Sequence, residues 1–169
     1  ELIIGIGPAV YKAMLTFEQL RVQWQLKLSL YTMPTSGGLI RSFLDVQLSP
    51  DKVYAYIGTY QGEVMVFRRD SCVFRALIPV CSNGVTGIAV LPNGDLICAG
   101  GDGVLNRLTG NDMEWTCSLE SRIPLPTKVG VSSMIQSASH NEILLATTNG
   151  NVYRCLTETL TETLVTQSH

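Results

Sequence analysis

The sequence predicts an all-β fold, a β-propeller of WD40 type with about three and a half four-stranded blades, and three observations predict it. The first is a repeat. Ile57-Gly58-Thr59-Tyr60-Gln61-Gly62-Glu63-Val64, Cys98-Ala99-Gly100-Gly101-Asp102-Gly103-Val104-Leu105 and Leu145-Ala146-Thr147-Thr148-Asn149-Gly150-Asn151-Val152 share one pattern. Each is an apolar run ending in small residues, then a polar-Gly turn, then a second apolar run. Gly62, Gly103 and Gly150 stand 41 and 47 residues apart, close to the roughly 40–45 residues that a four-stranded blade occupies. The second observation is a further turn at nearly the same distance upstream of each hairpin: Ser49-Pro50-Asp51-Lys52, Leu91-Pro92-Asn93-Gly94 and Ser139-His140-Asn141-Glu142. The third is a small residue four positions before each turn glycine: Gly58, Ala99 and Ala146.

Each repeat resolves into strand, turn, strand, hairpin, strand, loop, strand. The hairpin glycines Gly62, Gly103 and Gly150 supply positive φ without a side chain to clash. In the upstream turns Pro pre-sets φ, while Asp51, Asn93 and Asn141 tolerate bent backbone and bond to it locally. Strands are expected near 43–48, 53–58, 63–67 and 73–79, then 85–91, 95–99, 103–108 and 113–122, then 131–137, 142–147, 151–155 and 160–166. Residues 2–6, 9–17 and 22–30, with Leu2, Ile3, Ile4, Val10, Tyr11, Val22, Trp24, Leu26 and Leu28, read as later strands of a preceding blade. The blades are therefore placed near 1–38 (partial), 39–80, 81–125 and 126–169. The small residues fit the narrow end of a wedge, where neighbouring sheets approach closely.

Composition narrows the function classes. At 169 residues and 46% hydrophobic, the chain has enough apolar material for a sizeable core. A net charge of −2 gives no electrostatic ground for a nucleic-acid partner. No long uncharged apolar stretch suggests a membrane span. Cys72, Cys81, Cys98, Cys117 and Cys155 are odd in number, widely spaced and without a Cys-x-x-Cys. They read as reduced, buried thiols of a cytosol-like compartment.

A catalytic set is not found. His140 and His169 have no Cys, Asp or Glu at a metal-ligand spacing, and there is no Gly-x-Ser-x-Gly elbow. Gly100-Gly101-Asp102-Gly103 is followed by a strand pattern and lacks the Gly-Lys-Ser/Thr of a phosphate loop. Asp45, Asp51, Asp95 and Asp102 fall at strand ends and turns, where Asp ordinarily bonds its own backbone. No catalytic residue, cofactor or metal is expected. Candidates for a partner surface are Tyr60, Arg68, Arg69 and Trp115, residue types that dominate binding hot spots; packing between blades is the plainer role for Trp115.

The run Leu44-Asp45-Val46 through Tyr56 to Val64, the segment Leu91-Pro92-Asn93-Gly94-Asp95-Leu96-Ile97-Cys98-Ala99-Gly100-Gly101-Asp102-Gly103, and the closing Leu144 to Arg154 resemble the cilia- and flagella-associated protein 52 family of axonemal WD-repeat proteins. The similarity covers about residues 40–167. It implies a non-enzymatic structural protein of the ciliary or flagellar axoneme, inside doublet microtubules, in contact with tubulin and other microtubule inner proteins. The chain departs from the wider WD pattern in having neither Gly-His nor Trp-Asp, so the Asp-His-Ser/Thr-Trp network of many WD blades is absent. The alternative is a propeller adaptor in another cytosolic assembly, a ubiquitin-ligase receptor or a trafficking coat. A propeller enzyme with a metal or acid site in its channel ranks last, for want of His and converging carboxylates. Three and a half blades do not close a ring of about seven, so further blades from the same or a partner chain are expected to complete it.

Overall fold

The computed structural model describes residues 2–6, 8–33, 41–123 and 129–166. Fifteen strands form four antiparallel sheets among them. Sheet 1 is β1 (Leu2–Ile6), β2 (Ala9–Glu18) and β3 (Gln23–Leu30). Sheet 2 is β4 (Phe43–Leu48), β5 (Tyr54–Thr59), β6 (Glu63–Arg68) and β7 (Val73–Pro79). Sheet 3 is β8 (Val85–Val90), β9 (Leu96–Gly100), β10 (Val104–Asn111) and β11 (Glu114–Arg122), and sheet 4 is β12 (Val131–Gln136), β13 (Glu142–Thr147), β14 (Val152–Leu156) and β15 (Glu162–Thr166). In every sheet the strands pair in sequence order, the meander of a propeller blade. The expected fold class is found, and as an open arc.

The repeat is structural to the residue. Gly62, Gly103 and Gly150 have φ of +88°, +74° and +85°, and their N–H groups donate to the carbonyls of Thr59, Gly100 and Thr147 at 3.1, 3.0 and 3.0 Å. This is a tight turn closed by a left-handed residue. The first strand of sheets 2, 3 and 4 carries a bulge at one common place, between Phe43 and Asp45, Val85 and Gly87, Val131 and Ser133. Asp45, Gly87 and Ser133 stand opposite Gly58, Ala99 and Ala146.

The core is three seams between consecutive sheets. Val10 and Tyr31 of the first unit pack with Ala55, Ile57, Met65 and Phe67 of sheet 2. Tyr56, Val64 and Val66 on the opposite face of sheet 2 meet Ile88, Leu96, Cys98 and Leu108 of sheet 3. Ala89, Ile97, Ala99 and Leu105 then meet Ile143, Leu145, Tyr153 and Cys155 of sheet 4. Each fully buried aliphatic or aromatic side chain contributes about 1.5–3 kcal/mol. Of the three small residues, Gly58 stands where neighbouring sheets approach closely, since a Cβ on it would lie 2.8 Å from the Val85 carbonyl oxygen; Gly87, outside the expected set, is as tightly placed, with a Cβ 2.6 Å from Met134 Cβ.

One turn sits elsewhere than expected. In the first two upstream turns Lys52 N–H donates to Ser49 O and Gly94 N–H to Leu91 O; in the third it is His140 N–H to Ser137 O, at 3.0 Å. The third turn is therefore Ser137–His140, two residues before the expected one. Ser139, bonded to Ser137 through their hydroxyls at 3.1 Å, takes the place of Asp51 and Asn93. Asn141 lies past the turn, where its carbonyl accepts from Thr157 N–H. His140 adopts φ +61° where Gly94 has +91°.

Candidate interaction surface

Hydrogen bonds and ion pairs tie the loops at both rims of the arc. Asp102 takes N–H groups of Ser82 and Val104 on separate oxygens, at 2.8 and 3.1 Å, and the Ser82 hydroxyl at 2.9 Å. Burial raises its carboxyl, but these donors more than offset that and hold it below the usual Asp value. At the opposite rim the Ser49 hydroxyl and Val53 N–H both donate to Asp51, and the serine bond is the main cause of its lowered pKa. Asn93 bonds Asp95 through its side chain and accepts from the Asp95 N–H. The turn residues Asp51 and Asn93 thus act on their own loops.

Three further ties cross the seams. Ile88 N–H donates to Asp45 Oδ2 at 2.7 Å, and the Thr86 hydroxyl donates to Val131 O at 2.7 Å. Arg75 of β7 forks onto Asp112 in the β10–β11 hairpin, with Nε to Oδ1 at 2.6 Å; this hydrogen bond lowers the Asp112 pKa and raises that of Arg75.

The expected partner-surface residues are spread apart. Tyr60 is exposed at the β5–β6 hairpin. Arg68 ends β6 at the other rim and is exposed, and Arg69, just past the strand, pairs with the neighbouring Asp70 at 3.3 Å. Trp115 is half-buried in the seam of sheets 2 and 3, edge-on to Tyr56 with ring centroids 5.7 Å apart. The tryptophan therefore packs between blades. His140 is an exposed turn residue, His169 lies outside the described residues, and no group of three His, Cys, Asp or Glu is placed to hold a metal among the described residues.

Three surfaces remain that sequence reading did not single out. A groove of about 380 Å³ near the ends of the inner strands is lined by Gln47, Leu48, Pro50, Val90, Pro92, Gln136 and His140. The outward face of sheet 1 carries Leu15, Phe17, Trp24, Leu26, Leu28 and Leu30, all exposed. They share a face because Phe17 pairs with Trp24 and Leu15 with Leu26, two residues apart along each strand. The outward face of sheet 4 carries Ile135 and Leu144, a cross-strand pair at the register positions of Ala89 and Ile97. Ala89 and Ile97 are buried against sheet 4. The end faces thus repeat the positions that inner seams bury. The alternation of sheet 1 was readable in the sequence; which of its faces lacks a partner was not.

No family model matches the chain. It is 30% identical over 141 residues to cilia- and flagella-associated protein 52 of Chlamydomonas reinhardtii, an alignment of 82% of this chain and 22% of that protein. It superposes with a TM-score of 0.67 on the crystal structure of the β-propeller domain of Myceliophteria thermophila Cps50 (Swd1), at 10% identity, covering 95% of this chain and 54% of that one. The chain thus spans about a fifth of the curated relative and about half of the solved propeller. It is an arc of β-propeller blades similar in sequence to cilia- and flagella-associated protein 52, the resemblance its motifs suggest.

Proposed function

We propose that this chain is a non-enzymatic structural section of a ciliary or flagellar axoneme. Its blades hold loops at fixed spacing, and many modest contacts to neighbouring proteins add up. In its finer form the reading makes it part of a microtubule inner protein, bound to tubulin and to other inner proteins, with further blades from the same or a partner chain beside sheets 1 and 4. The observation that carries the reading is the 30% identity to cilia- and flagella-associated protein 52 over most of the chain. The loop bonds support it physically: Asp51 and Asn93 are engaged with their own loops and Asp102 ties its hairpin to the loop at Ser82, which suits a rigid scaffold.

Fractionation tests the reading. Tagged protein in ciliated cells is expected to remain with detergent-extracted axonemes and to co-purify with doublet microtubules. Complete release into the soluble fraction, with no tubulin in crosslinked material, overturns it.

A further inference from the structure

Arg68 and Arg69 are the one pair of adjacent arginines in the sequence, and Ser71 follows them after a single residue, as Arg68-Arg69-Asp70-Ser71. The segment turns β6 into β7, and Cys72 closes the turn at φ +58°. Sheets 1 and 4 use the same kind of four-residue loop between their last two strands, closed by Val22 at φ +52° and Leu160 at φ +53°. Those loops begin with Glu18-Gln19 and Leu156-Thr157 where this one begins with its two arginines. The shape of the turn therefore does not call for them.

Ser71 is exposed, as are Arg68 and Asp70, and its hydroxyl has no hydrogen-bond partner among the described residues. At the same place in sheet 4 the Thr159 hydroxyl accepts from Thr161 N–H at 3.3 Å. The hydroxyls of Ser49, Ser82 and Ser137 are likewise engaged in their turns. The backbone on either side of Ser71 is held from the first unit: Lys12 Nζ donates to Asp70 O at 2.6 Å, and Thr32 N–H to Cys72 O at 2.9 Å. An unengaged hydroxyl thus stands at the surface of a tethered loop, beside cations.

We propose that Ser71 is a phosphorylation site for a serine/threonine kinase that selects its substrate by arginines two and three residues before the serine. Arg68 and Arg69 meet carboxylates of the kinase, which guanidinium groups bind through paired hydrogen bonds. The kinase passes the γ-phosphoryl of a nucleoside triphosphate to Ser71 Oγ. The bond from that phosphorus to the bridging oxygen breaks, its electron pair leaves with the diphosphate, and the hydroxyl proton goes to the catalytic Asp of the kinase. Local opening of the loop presents residues 68–72 in extended form while the rest of β6 and β7 stays paired. The product carries about −1.5 to −2 charges where Arg68, Arg69 and Lys12 outnumber Asp70, so a cationic corner between sheets 1 and 2 becomes nearly neutral. The proposal rests on this loop and stands apart from the axonemal reading.

Phosphorylation of the whole folded chain tests it. The probe is the catalytic subunit of the cyclic-AMP-dependent kinase with magnesium ATP, and peptide mass spectrometry locates the phosphate. Ser71 is expected to be the main site, and Ser71→Ala to lose most of the uptake. Arg68→Gln and Arg69→Gln are each expected to lower kcat/KM about tenfold or more, with urea midpoints reporting that the variants are folded. The peptide Val-Phe-Arg-Arg-Asp-Ser-Cys-Val, residues 66–73, is expected to be modified as well. Modification of the peptide without the folded chain overturns the proposal, since the loop then stays shut. So does a rate at Ser71 that is indifferent to both arginines, full uptake by Ser71→Ala, or no phosphate at Ser71 in chain and peptide alike.

Discussion

Arg107 and Asp95 hold each other across β9 and β10. The guanidinium Nε and one Nη donate to a single carboxylate oxygen at 3.0 and 2.8 Å. Their side chains are 22% and 9% exposed. At the same register of sheet 4 stand Arg154 and Glu142, at 3.7 Å and 52% and 39% exposed. One repeat position thus holds a sheltered pair in one blade and a solvated pair in the next.

Removing one partner of a sheltered pair strands the other charge. Asp95→Ala is expected to cost about 2–4 kcal/mol. Glu142→Ala is expected to cost below about 1 kcal/mol. Urea unfolding midpoints of the two variants check the contrast, and equal losses would show that shelter is irrelevant here.

Two left-handed glycines separate backbone strain from steric conflict. Gly94, at φ +91°, has open space where a Cβ would go, so Gly94→Ala carries the conformational cost alone, about 1–2 kcal/mol. Gly62 accepts from the N–H groups of Val80 and Cys81, and its Cβ would collide with the Cys81 carbonyl. Gly62→Ala is expected to lose about 3 kcal/mol or more, measured by thermal and urea unfolding.

The Asp102 carboxyl titrates lower in the folded chain than in the unfolded one. Its contribution to stability is therefore complete above the ordinary Asp value, near pH 4, and is lost as pH falls through the lower folded value. Asp102→Asn is expected to be less stable at neutral pH and to show a shallower loss on acidification below about pH 4. Urea midpoints across that range check it; an unchanged acid slope counts against the assignment.

Thiol labelling reads the seams. Burial pushes Cys155 up to about 12 and Cys81 up to about 11, and Cys98 higher still. Cys117 is exposed. A thiol reagent at neutral pH is expected to modify Cys117 rapidly in the native protein and Cys72, Cys98 and Cys155 only as it unfolds. Cys117→Ser should remove the fast phase, and its persistence would place a second thiol at the surface.

What the sequence carried was local. Hairpin glycines, alternating apolar runs and small residues act within a few positions, so strand order and most strand limits were readable from them. The third upstream turn was missed because Ser137-Ala138-Ser139-His140 lacks the Pro, Asp, Asn or Gly that marks its counterparts. Its left-handed position is filled by a histidine, a choice that turn chemistry does not single out. The pairs Arg107–Asp95 and Arg75–Asp112 depend on register between strands and between sheets. That Trp115 packs between blades was the plainer reading of the sequence, whereas its ring partner Tyr56, 59 residues earlier, is set by the seam and no nearby residue announces it.

Asp45 receives an N–H from the following sheet, and Thr86 gives its hydroxyl to the carbonyl of the one after. Sheets 2 and 3 each reach forward along the chain with a side chain from the first strand and meet backbone there. A backbone carbonyl is present at every residue, and an N–H at every residue but proline. Such a joint tolerates sequence divergence on its receiving side. The side chain on the receiving side can therefore change while the joint persists, provided the reaching strand keeps its bulge and its short polar residue.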